Sequence, residues 1–362
     1  MPRTSLDFIV NRRDLRDCRC VETQLSPGDG DVVLGVDRFA LTANNITYAV
    51  AGDSMAYWAF FPAEPGWGRV PVWGFADVLQ SSCEGIEAGE RLYGYLPMST
   101  HLIVTPQRVT AAGFVDAAPH RAERAAVYNQ YQRVAHDPGY SAANENAQML
   151  LRPLFMTSFL LDDLLRDNGF FGAQTVILSS ASSKTSVGLA YMLRRNGQAR
   201  VVGLTSPGNR AFVEKLGYYD AVIGYDGIAT LDAASPAVFV DMAGNGAVLR
   251  DVHRHFGDAL RYSCLVGATH WDARAGGVRD ALAGPKPELF FAPSRITKRN
   301  QDWGRGGIEQ RVASAWTTFT ADAQRWMNVV QRRGPAEVER AYLEVLGGKT
   351  PPDVGYIVSM NG

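Results

Sequence analysis

Residues with small hydroxyl side chains follow a short apolar segment near the middle of the chain. The sequence TVILSS is followed by the turn ASSKT and by a helix-like segment, SVGLAYMLRRNG. This order predicts a buried strand, a serine-rich turn and a helix whose first turn carries Gly188. Backbone N–H groups at the start of a helix are unpaired and carry partial positive charge, and small side chains let a phosphate approach them. The pattern is typical of a site that binds a pyrophosphate.

The same turn does not match two common phosphate-binding motifs. It contains no G-x-G-x-x-G, and Lys184-Thr185 lacks the preceding glycines of a Walker A loop. The prediction of a pyrophosphate site therefore depends on the strand–turn–helix order and on the small side chains.

The end of the next predicted strand indicates which dinucleotide would bind. Folds that select NAD place an Asp or Glu there, to accept hydrogen bonds from the ribose hydroxyls. Here the strand ends in GLTSPGNR, which contains Thr205, Ser206 and Arg210 and no acidic residue. A hydroxyl and a guanidinium suit a 2′-phosphate, so NADPH is favoured over NADH. Alternatively, Arg210 is a solvated residue in the first turn of a helix.

Two predicted structures would hold these residues in place: a β-rich lobe in the first third of the chain and a series of alternating strands and helices after it. The first third of the chain contains short segments separated by Gly and Pro, such as DVVLGVDRFAL, NNITYAVAG, RVPVWGFADVLQS and ERLYGYLP. They predict strands of a β-rich lobe with a barrel or a strongly coiled sheet. From about Arg152, a helix that ends at Asn168-Gly169 is followed by alternating strands and helices. This alternation is typical of a parallel sheet covered on both faces.

The composition excludes several classes of protein. With 362 residues, of which 46% are hydrophobic and 20% charged, the chain is long enough for two globular domains. A formal net charge of −1 provides no field that would attract nucleic acid or anionic lipid. The four cysteines form no C-x-x-C pair, and we find no secretory signal and no apolar stretch of membrane-spanning length. We therefore expect a cytoplasmic protein with reduced thiols.

Three segments of the second half resemble a known family. SSASSKTSVGLA, VVGLTSPGNRAFVEKLGYYDAVIGYDG and VFVDMAGN are similar to the cofactor domain of zinc-independent quinone oxidoreductases and enoyl reductases of the medium-chain dehydrogenase/reductase superfamily. GVDRFALTANNITYAVAGD and RVPVWGFADVLQSSCEGIEAGERLYGYLP resemble the family's two catalytic segments, so the resemblance covers most of the chain. The serine-rich turn, and extra residues around VYNQYQRVAHDPGYSAANENAQMLL, depart from the family pattern and indicate an uncharacterised branch.

The resemblance implies an α/β fold of two lobes. Residues 1–151 would form a GroES-like, β-rich barrel lobe, which carries the catalytic segments. Residues 152–300 would form a Rossmann domain, a doubly wound parallel sheet that binds NADP. Residues 301–362 would be a C-terminal segment that returns to the first lobe. Relatives commonly pair sheet edges, which implies a homodimer.

The resemblance also implies positions for the cofactor. The residues that would surround the pyrophosphate are Ser180, Ser182, Lys184, Thr185 and Gly188. Ser206 and Arg210 would meet the 2′-phosphate, and Tyr225 would pack on the nucleotide. The residues that would lie near the nicotinamide are Thr157, Gly267 and Ala268.

The chain lacks the ligands of the zinc-dependent relatives. Gly74-Phe75-Ala76 stands where that group has Gly-His-Glu, and Leu41-Thr42-Ala43 stands where it has a cysteine ligand. Zinc needs closely grouped Cys or His ligands, and the cysteines are scattered. His253 and His255 are two residues apart on a predicted helix, so their rings point apart and we interpret both as surface residues. We predict no metal site.

Without a metal, hydride delivery to an activated C=C bond or a quinone is the easier reaction. The protein then positions NADPH and supplies one proton. The candidates for the proton donor or oxyanion stabiliser are Asn44, Asn45 and Tyr48, and Tyr48 is our first choice because related enoyl-thioester reductases use a tyrosine in this general segment. Alternatively, Tyr48 is a strand residue that fills the barrel wall. Tyr128 and Tyr131 are second choices, and packing is the alternative for both.

Two other groups of residues are ambiguous. Aromatic side chains that could line an apolar substrate pocket, or else fill a core, are Tyr57-Trp58, Phe60-Phe61, Trp67 and Trp73. A basic cluster that could meet a CoA phosphate, or else form a solvated surface, consists of Arg295, Lys298 and Arg299.

The sequence predicts an NADPH-dependent, zinc-free reductase of an enone, an enoyl thioester or a quinone. Its partner would be an apolar or acyl-thioester small molecule rather than nucleic acid or a membrane. Two alternatives stay open: an NADP(H)-binding redox sensor or inactive family member, and a metal-free lyase or isomerase on the same scaffold. Binding of NADPH without its oxidation by any of a panel of acceptors would indicate the sensor or inactive member. Turnover of a substrate without NADPH would indicate the lyase or isomerase.

Overall fold

The chain divides into two compact units in the computed structural model, which describes residues 4–137, 139–266, 282–304 and 306–362. Unit 1 contains residues 1–150 and 327–362, and unit 2 contains residues 151–326. Residues 301–326, which we expected in the returning tail, cluster with unit 2. The physical reason is aromatic packing, because Trp316 and Phe319 lie with ring centroids 5.5 and 4.7 Å from that of Phe155.

Unit 1 is built from β-strands. Its strands in chain order are β1 Thr4–Asn11, β2 Cys18–Gln24, β3 Val32–Leu41, β4 Trp67–Gly68, β5 Pro71–Ser81, β6 Arg91–Pro97, β7 His101–Val104, β8 Pro106–Gln107, β9 Gly113–Asp116, β10 Gln130–Arg133, β17 Asn328–Arg333 and β18 Val354–Ser359. The described residues form a three-stranded sheet, β2-β1-β4, and a larger sheet in the order β17-β18-β3-β5-β6-β10-β9-β8, with β7 also paired to β3. The predicted β-rich lobe is therefore confirmed.

The tail of the chain completes the larger sheet of unit 1. Strand β18 pairs antiparallel with β3, so that Ile357 lies opposite Ala40. Strand β17 pairs parallel with β18, and helix α8, Pro335–Leu346, connects the two. Tyr342 of α8 is fully buried against Phe8, with ring centroids 5.3 Å apart. The last residues of the chain thus share a core with the first strand.

One predicted strand of unit 1 is a helix. The segment NNITYAVAG was expected to be a β-strand, but Ala43–Val50 forms helix α1. A capping box explains the difference, because the side chains of Thr42 and Asn45 each bond the other's backbone at the helix start. Tyr48 and Ala49 are buried on this helix together with Asn45, whereas the β-branched Val50 is 47% exposed. The interpretation of Tyr48 as a strand residue in a barrel wall is therefore wrong.

Unit 2 contains a parallel sheet, as predicted. Its strands are β11 Thr175–Leu178, β12 Arg200–Thr205, β13 Ala221–Gly224, β14 Ala237–Asp241, β15 Leu260–Leu265 and β16 Glu288–Leu289. The order is β13-β12-β11-β14-β15-β16, and neighbouring strands are parallel throughout the described residues. Val176, Ile177 and Leu178 are fully buried, which for each side chain contributes about 1.5–3 kcal/mol. Continuous apolar strands of this kind require helices on both faces of the sheet.

The remaining helices lie mainly in unit 2. They are α2 Glu145–Asp167, α3 Lys184–Asn196, α4 Arg210–Leu216, α5 Gly246–Phe256, α6 Ala292–Trp303 and α7 Gly307–Ala323. Helix α2 begins before Arg152, where the pattern placed its start, and the boundary between the units falls within it. No described helix is long and apolar enough to span a membrane.

Two predicted surface features are buried. His253 is fully buried, because Nδ1 lies 2.7 Å from the Ala283 carbonyl and Nε2 lies 2.8 Å from the Ser263 hydroxyl. Burial lowers the pKa of His253, so the ring is neutral at neutral pH. The interpretation of His253 as a surface residue is therefore wrong.

The basic cluster of α6 is not a solvated surface either. Arg295 and Arg299 are only 7% and 8% exposed. The Nε atoms of both donate to the carboxylate of Asp163 on α2, at 2.5 and 2.8 Å from Oδ2. Buried guanidinium groups need such partners, and these bonds attach α6 to α2 within unit 2. Lys298 remains half exposed.

Candidate functional site

The serine-rich turn connects β11 to α3 at the carboxyl end of the parallel sheet. Ser183 is the N-cap of α3, and its hydroxyl oxygen accepts the N–H of Ser186 at 3.3 Å. Ser186 donates its own hydroxyl to the Ser179 carbonyl at 2.8 Å. A serine N-cap stabilises a helix start by roughly 0.5–2 kcal/mol. The turn is therefore held in one conformation at the end of α3 where the helix dipole is positive.

A buried pair of side chains joins this turn to the neighbouring strand end. The Ser179 hydroxyl donates to Oδ1 of Asp241, the last residue of β14, at 2.7 Å. The same hydroxyl oxygen accepts the N–H groups of Met242 and Ala243, at 2.8 and 3.0 Å. Both Ser179 and Asp241 are fully buried. The loops that follow β11 and β14 are thus fixed to each other.

Ser180 adopts a strained backbone conformation within the turn. Its φ is +48°, in the left-handed region that residues other than glycine seldom occupy. Its N–H donates to the phenol oxygen of Tyr225 at 3.1 Å. Strain of this kind persists where the surroundings impose it, and it is frequent at ligand-binding sites.

The end of β12 lies beside the turn. The Asn209 side-chain amide donates to the Ser182 hydroxyl at 2.9 Å, and the Ala181 N–H donates to the Leu204 carbonyl at 3.0 Å. Thr205 is 1% exposed, and its hydroxyl has no hydrogen-bond partner among the described residues. Ser206, the next residue, is half-buried.

Arg210 is the first residue of α4 and is exposed. Its Nε donates to Glu214 Oε1 at 2.8 Å, one helical turn away, and its side chain keeps 55% of its surface exposed. An exposed ion pair of this spacing contributes only about 0.3–0.5 kcal/mol. The guanidinium is therefore available to an anion that competes with Glu214.

Helix packing explains Gly188. A Cβ at this position would lie 2.7 Å from Ser158 Oγ and 3.1 Å from Ser158 Cβ, on α2. The absence of a side chain at Gly188 thus lets α3 approach α2, and the Ser158 hydroxyl donates to the Thr185 carbonyl at 2.8 Å. We assign Gly188 to this contact rather than to direct binding of a pyrophosphate. Thr157, next to Ser158, is half-buried.

The structure describes some of the other predicted cofactor residues but not all of them. Lys184 and Thr185 are the first two residues of α3, and both are half-buried. Tyr225 is half-buried and contacts the turn as described above. Gly267 and Ala268 lie outside the described residues.

Two observations indicate that this turn fits a phosphorylated dinucleotide. The unpartnered Thr205 hydroxyl is unfavourable by about 1–3 kcal/mol while it stays buried, and a ligand hydroxyl would recover that energy. The carboxyl ends of parallel strands, next to a helix start, are also where folds of this architecture bind nucleotides. The turn is joined to its neighbours by the bonds of Ser180 with Tyr225 and of Ser182 with Asn209.

Of the three predicted catalytic residues in unit 1, Asn45 has a structural role. Its Oδ1 accepts the Thr42 N–H at 2.8 Å, and its Nδ2 donates to the Pro71 carbonyl at 2.9 Å. Asn45 is 2% exposed, so both ends of its side chain are engaged inside the protein. We assign it to the cap of α1 rather than to catalysis.

Asn44 and Tyr48 contact each other. Nδ2 of Asn44 donates to the Tyr48 phenol oxygen at 2.8 Å, and Nε1 of Trp73 donates to the same oxygen at 3.4 Å. Tyr48 is 6% exposed. Burial raises the pKa of Tyr48 to about 12, although the hydrogen bonds that its oxygen accepts act in the opposite direction. Tyr48 is therefore a neutral phenol at physiological pH, with two N–H donors directed at its oxygen.

Tyr48 belongs to a group of aromatic residues that we call the aromatic cluster. Its members are Tyr48, Tyr57, Phe60, Trp73, Tyr95 and Tyr128. The closest rings, those of Tyr48 and Tyr57 and those of Tyr95 and Tyr128, have centroids 4.7 Å apart. Tyr95 is fully buried and its hydroxyl has no hydrogen-bond partner among the described residues. Tyr128 is half-buried at the edge of the cluster.

The other aromatic candidates lie elsewhere in unit 1. The Tyr131 hydroxyl donates to the Tyr95 carbonyl at 2.7 Å. Tyr131 therefore has the packing role that was given above as the alternative to proton donation. Trp58 is 3% exposed and packs so closely on Gly52 and Gly68 that a Cβ at either would lie within 2.3 Å of its ring. The Arg19 guanidinium lies over the Trp67 ring, with its central carbon 4.1 Å from the ring centroid.

Sequence reasoning missed several residues of these sites. Ser179, Asp241 and Asn209 were not singled out, although an acidic residue at the end of VFVD and a serine at the end of TVIL are visible signals on neighbouring parallel strands. The contacts of Trp73 and Tyr95 with Tyr48 have no local signal, because the three residues lie on separate elements, β5, β6 and α1. Among the described residues, no three His, Cys, Asp or Glu side chains are grouped to hold a metal ion.

Comparisons with known proteins agree with this architecture. A family model described as "Protein of unknown function (DUF2855)" matches residues 39–351. No curated protein matches the chain.

Several solved structures share the fold over nearly the whole chain. CurA in complex with NADPH from Vibrio vulnificus is 12% identical, with a TM-score of 0.63 and coverage of 99% of both chains. A mutant of Etr1p in complex with NADP and crotonyl-CoA is 10% identical, with a TM-score of 0.58 and coverage of 98% of this chain and 99% of that one. A mutant enoyl thioester reductase from Candida tropicalis is 11% identical, with a TM-score of 0.54 and the same coverage. At these identities the similarity establishes the two-lobe fold that the sequence resemblance implied.

Proposed function

We propose that this chain, which belongs to the DUF2855 family of proteins of unknown function, is an NADPH-dependent, zinc-free reductase of an activated C=C bond or a quinone. The observation that carries the proposal is the serine-rich turn after β11, which leads into the start of α3 and is joined to the loop after β12 by the hydrogen bond of the Asn209 amide with the Ser182 hydroxyl. Similarity to proteins solved with NADPH, or with NADP and crotonyl-CoA, supports the same conclusion.

The residues of unit 2 would share the binding of NADPH. Those that we assign to the pyrophosphate are Ser180, Ser182, Lys184 and Thr185. Ser206 and Arg210 would hold the 2′-phosphate, because a guanidinium forms strong charge-assisted bonds with phosphate. Tyr225 would pack on the nucleotide. We assign Thr157, Gly267 and Ala268 to the neighbourhood of the nicotinamide.

The ion pair of Arg210 with Glu214 is compatible with this assignment. Because the pair is exposed and contributes little, a 2′-phosphate would displace Glu214 at small cost. No acidic residue in the loop after β12 would repel that phosphate, since the sequence there is SPGN. This charge distribution favours NADPH over NADH.

Tyr48 is the residue that we assign as proton donor. NADPH, when bound, supplies a hydride from its nicotinamide ring. The Asn44 and Trp73 N–H groups occupy the lone pairs of the Tyr48 oxygen, which leaves the phenol proton free to be donated. The same two N–H groups would stabilise the phenolate that remains. One hydride and one proton together reduce a C=C bond, or convert a quinone to a hydroquinone.

Nucleotide binding tests the first half of the proposal. We expect purified protein to increase the fluorescence of NADPH in a saturable titration, and to bind NADH more weakly. Replacing Arg210 with Ala would weaken NADPH binding and leave NADH binding unchanged. The matched control is Lys215→Ala, which removes an exposed cation from the same helix. Equal affinity of the Arg210→Ala variant for NADPH would contradict the assignment.

Turnover tests the second half. Cyclohexenone, crotonyl-CoA and menadione represent the enone, the enoyl thioester and the quinone. We expect at least one of them to oxidise NADPH in the presence of the protein and of excess EDTA. NADPH binding without oxidation by any acceptor would indicate a sensor, and turnover of an acceptor without NADPH would indicate a lyase or an isomerase.

We also propose that the protein is a cytoplasmic homodimer. The described cysteines are all free, as expected for a reducing compartment. Light scattering during gel filtration would give the mass of the assembly, and a mass of 39.5 kDa would contradict the dimer.

A further inference from the structure

We propose that two side chains of unit 2, Tyr225 and Glu214, compete with the phosphate groups of NADPH for the donors that would bind them. The pyrophosphate would displace the Tyr225 phenol oxygen from the Ser180 N–H. The 2′-phosphate would displace the Glu214 carboxylate from Arg210. Both residues would thereby lower the affinity for NADPH, and Glu214 would also reduce the preference for NADPH over NADH. The inference rests on the proposed function, in which this turn and Arg210 bind that nucleotide.

The bond between Ser180 and Tyr225 uses a donor that a phosphate would need. The Ser180 N–H donates to the Tyr225 phenol oxygen at 3.1 Å, three residues before the N-cap of α3, where the helix dipole is positive. A backbone N–H has one hydrogen, so a strong bond to the phenol oxygen and one to a phosphate oxygen exclude each other. Tyr225 is only half-buried, so its side chain can move without opening a closed core.

Other bonds hold the turn in place without the Tyr225 hydroxyl. The Ala181 N–H donates to the Leu204 carbonyl at 3.0 Å, and the Ala181 carbonyl accepts the Tyr219 hydroxyl at 2.7 Å. We therefore expect the left-handed conformation of Ser180 to persist when the phenol oxygen of Tyr225 is removed. If that oxygen instead kept the turn in shape for the nucleotide, its loss would weaken binding, which is the opposite effect.

The contact between Ser182 and Asn209 in the same turn creates no such competition. The Asn209 amide donates to the Ser182 hydroxyl oxygen at 2.9 Å. Accepting this bond does not use the hydroxyl hydrogen, so the contact is compatible with a bond from Ser182 to a phosphate oxygen. An acceptor must leave at Ser180, whereas none has to leave for Asn209 to keep its bond.

Glu214 competes through its charge. Its Oε1 accepts the Arg210 Nε at 2.8 Å, one helical turn along α4, and the side chains of Arg210 and Glu214 are 55% and 50% exposed. A carboxylate that reaches this guanidinium would also lie close to a 2′-phosphate bound there, and the two negative charges would repel each other, less strongly at high salt. NADH has no 2′-phosphate, so its affinity would not depend on Glu214. Glu214 is thus a residue that determines nucleotide preference.

Replacing Tyr225 with Phe tests the first contact, because it removes the phenol oxygen and keeps the ring that would pack on the nucleotide. We expect NADPH to bind about two- to tenfold more tightly, the range that one net hydrogen bond accounts for. The thermal midpoint without NADPH should fall, whereas the midpoint at saturating NADPH should equal that of the wild type, because the nucleotide complex lacks this bond in both proteins. The matched control is Tyr219→Phe, whose hydroxyl donates to the Ala181 carbonyl. Its NADPH affinity should be unchanged, and its two midpoints should fall together.

Replacing Glu214 with Gln tests the second contact. We expect NADPH to bind about two- to fivefold more tightly at low salt, and the affinity for NADH to stay the same. The gain should disappear as the salt concentration is raised to about 1 M, because the repulsion between exposed charges is then screened. The matched control is Asp251→Asn, which removes a carboxylate that is also 50% exposed and belongs to an ion pair on α5. That variant should bind NADPH as the wild type does. Fluorescence titration measures every affinity.

The outcomes keep this inference apart from the proposed function. If neither the wild type nor any variant binds NADPH, the proposed function is wrong and the competition with it. If the wild type binds NADPH and Tyr225→Phe binds it equally or more weakly, the competition by Tyr225 is wrong and the nucleotide site stands. An unchanged or lower NADPH affinity of Glu214→Gln, or an equal gain for NADH, would overturn the role of Glu214.

Discussion

The Ser179 hydroxyl donates to the Asp241 carboxylate at 2.7 Å, and this bond joins the residue after β11 to the last residue of the neighbouring parallel strand, β14. Neither is exposed to solvent. The pair lies beneath the proposed nucleotide site, and it determines where the loops after β11 and β14 lie. Its removal should therefore affect both stability and nucleotide binding.

Replacing Ser179 with Ala should lower the free energy of unfolding by about 1–3 kcal/mol, because the Asp241 carboxylate and the Met242 N–H lose a buried partner. The affinity for NADPH should fall as well. Chemical denaturation and a fluorescence titration measure the two effects. Ser158→Ala is the control, since that hydroxyl bonds only helix carbonyls and its loss should change little. Wild-type NADPH affinity in the Ser179 variant would show that the turn does not depend on this pair.

Replacing Gly188 with Ala should destabilise unit 2 by about 1–3 kcal/mol, because the new Cβ would lie 2.7 Å from Ser158 Oγ. Adding Ser158→Ala would remove that oxygen and recover part of the loss. Thermal unfolding of the two single variants and the double variant measures the coupling. Additive effects would indicate that α2 and α3 do not meet at these residues.

Replacing Asp163 with Asn should destabilise the chain by about 1–3 kcal/mol, because the buried guanidinium groups of Arg295 and Arg299 lose their buried carboxylate partner and keep the partly exposed Asp167. Asp302→Asn is the matched control, since Asp302 contacts Arg299 and Lys298 at a more exposed position and its loss should shift the denaturation midpoint much less. Urea denaturation measures both. Similar denaturation midpoints for the two variants would contradict the expectation that Asp163 stabilises the chain more than Asp302 does.

Replacing Tyr48 with Phe should lower kcat by about 10²–10⁴ without changing NADPH affinity, because only the proton donor is lost. Tyr48 acts in its protonated form and its pKa is raised to about 12, so the wild-type rate should not decline through loss of this proton between pH 7 and about 10. Stopped-flow measurement across this range tests the assignment. A decline in kcat within this range that is absent from the Phe variant would mean that Tyr48 ionises more easily than its burial predicts.

High pH should destabilise unit 1. Tyrosines of the unfolded chain ionise near a pKa of about 10, whereas burial raises the pKa of Tyr48 to about 12 in the folded chain. Burial also raises the pKa of Tyr131 and Tyr95. Above about pH 10 the unfolded chain therefore binds fewer protons than the folded chain, and the free energy of unfolding falls as pH rises. Denaturant midpoints measured from about pH 8 to about pH 12 should decrease steadily, and a constant midpoint would show that these phenols are not buried.

The local patterns were sufficient for the elements of unit 2. Continuous apolar runs such as Val176, Ile177 and Leu178 can be buried only inside a covered parallel sheet, so strand, turn and helix followed from the sequence. The same patterns misjudged Ala43–Val50, because a capping box between Thr42 and Asn45 outweighed the β propensity of the segment. The prediction for His253 was wrong because its partners, Ser263 and Ala283, lie outside its own helix, and only the fold brings them to the two ring nitrogens.

The residue types alone determined that this protein has a serine-rich turn between a buried strand and a helix, a strand end without an acidic residue, and a phenol in the segment of Tyr48. Only the tertiary structure decided that Arg210 pairs with Glu214, that Asn45 is a cap, and that tyrosines from four separate segments meet in one aromatic cluster. The physical reason is that helix starts and buried strands depend on neighbouring residues, whereas hydrogen bonds between side chains depend on which distant segments the fold brings together.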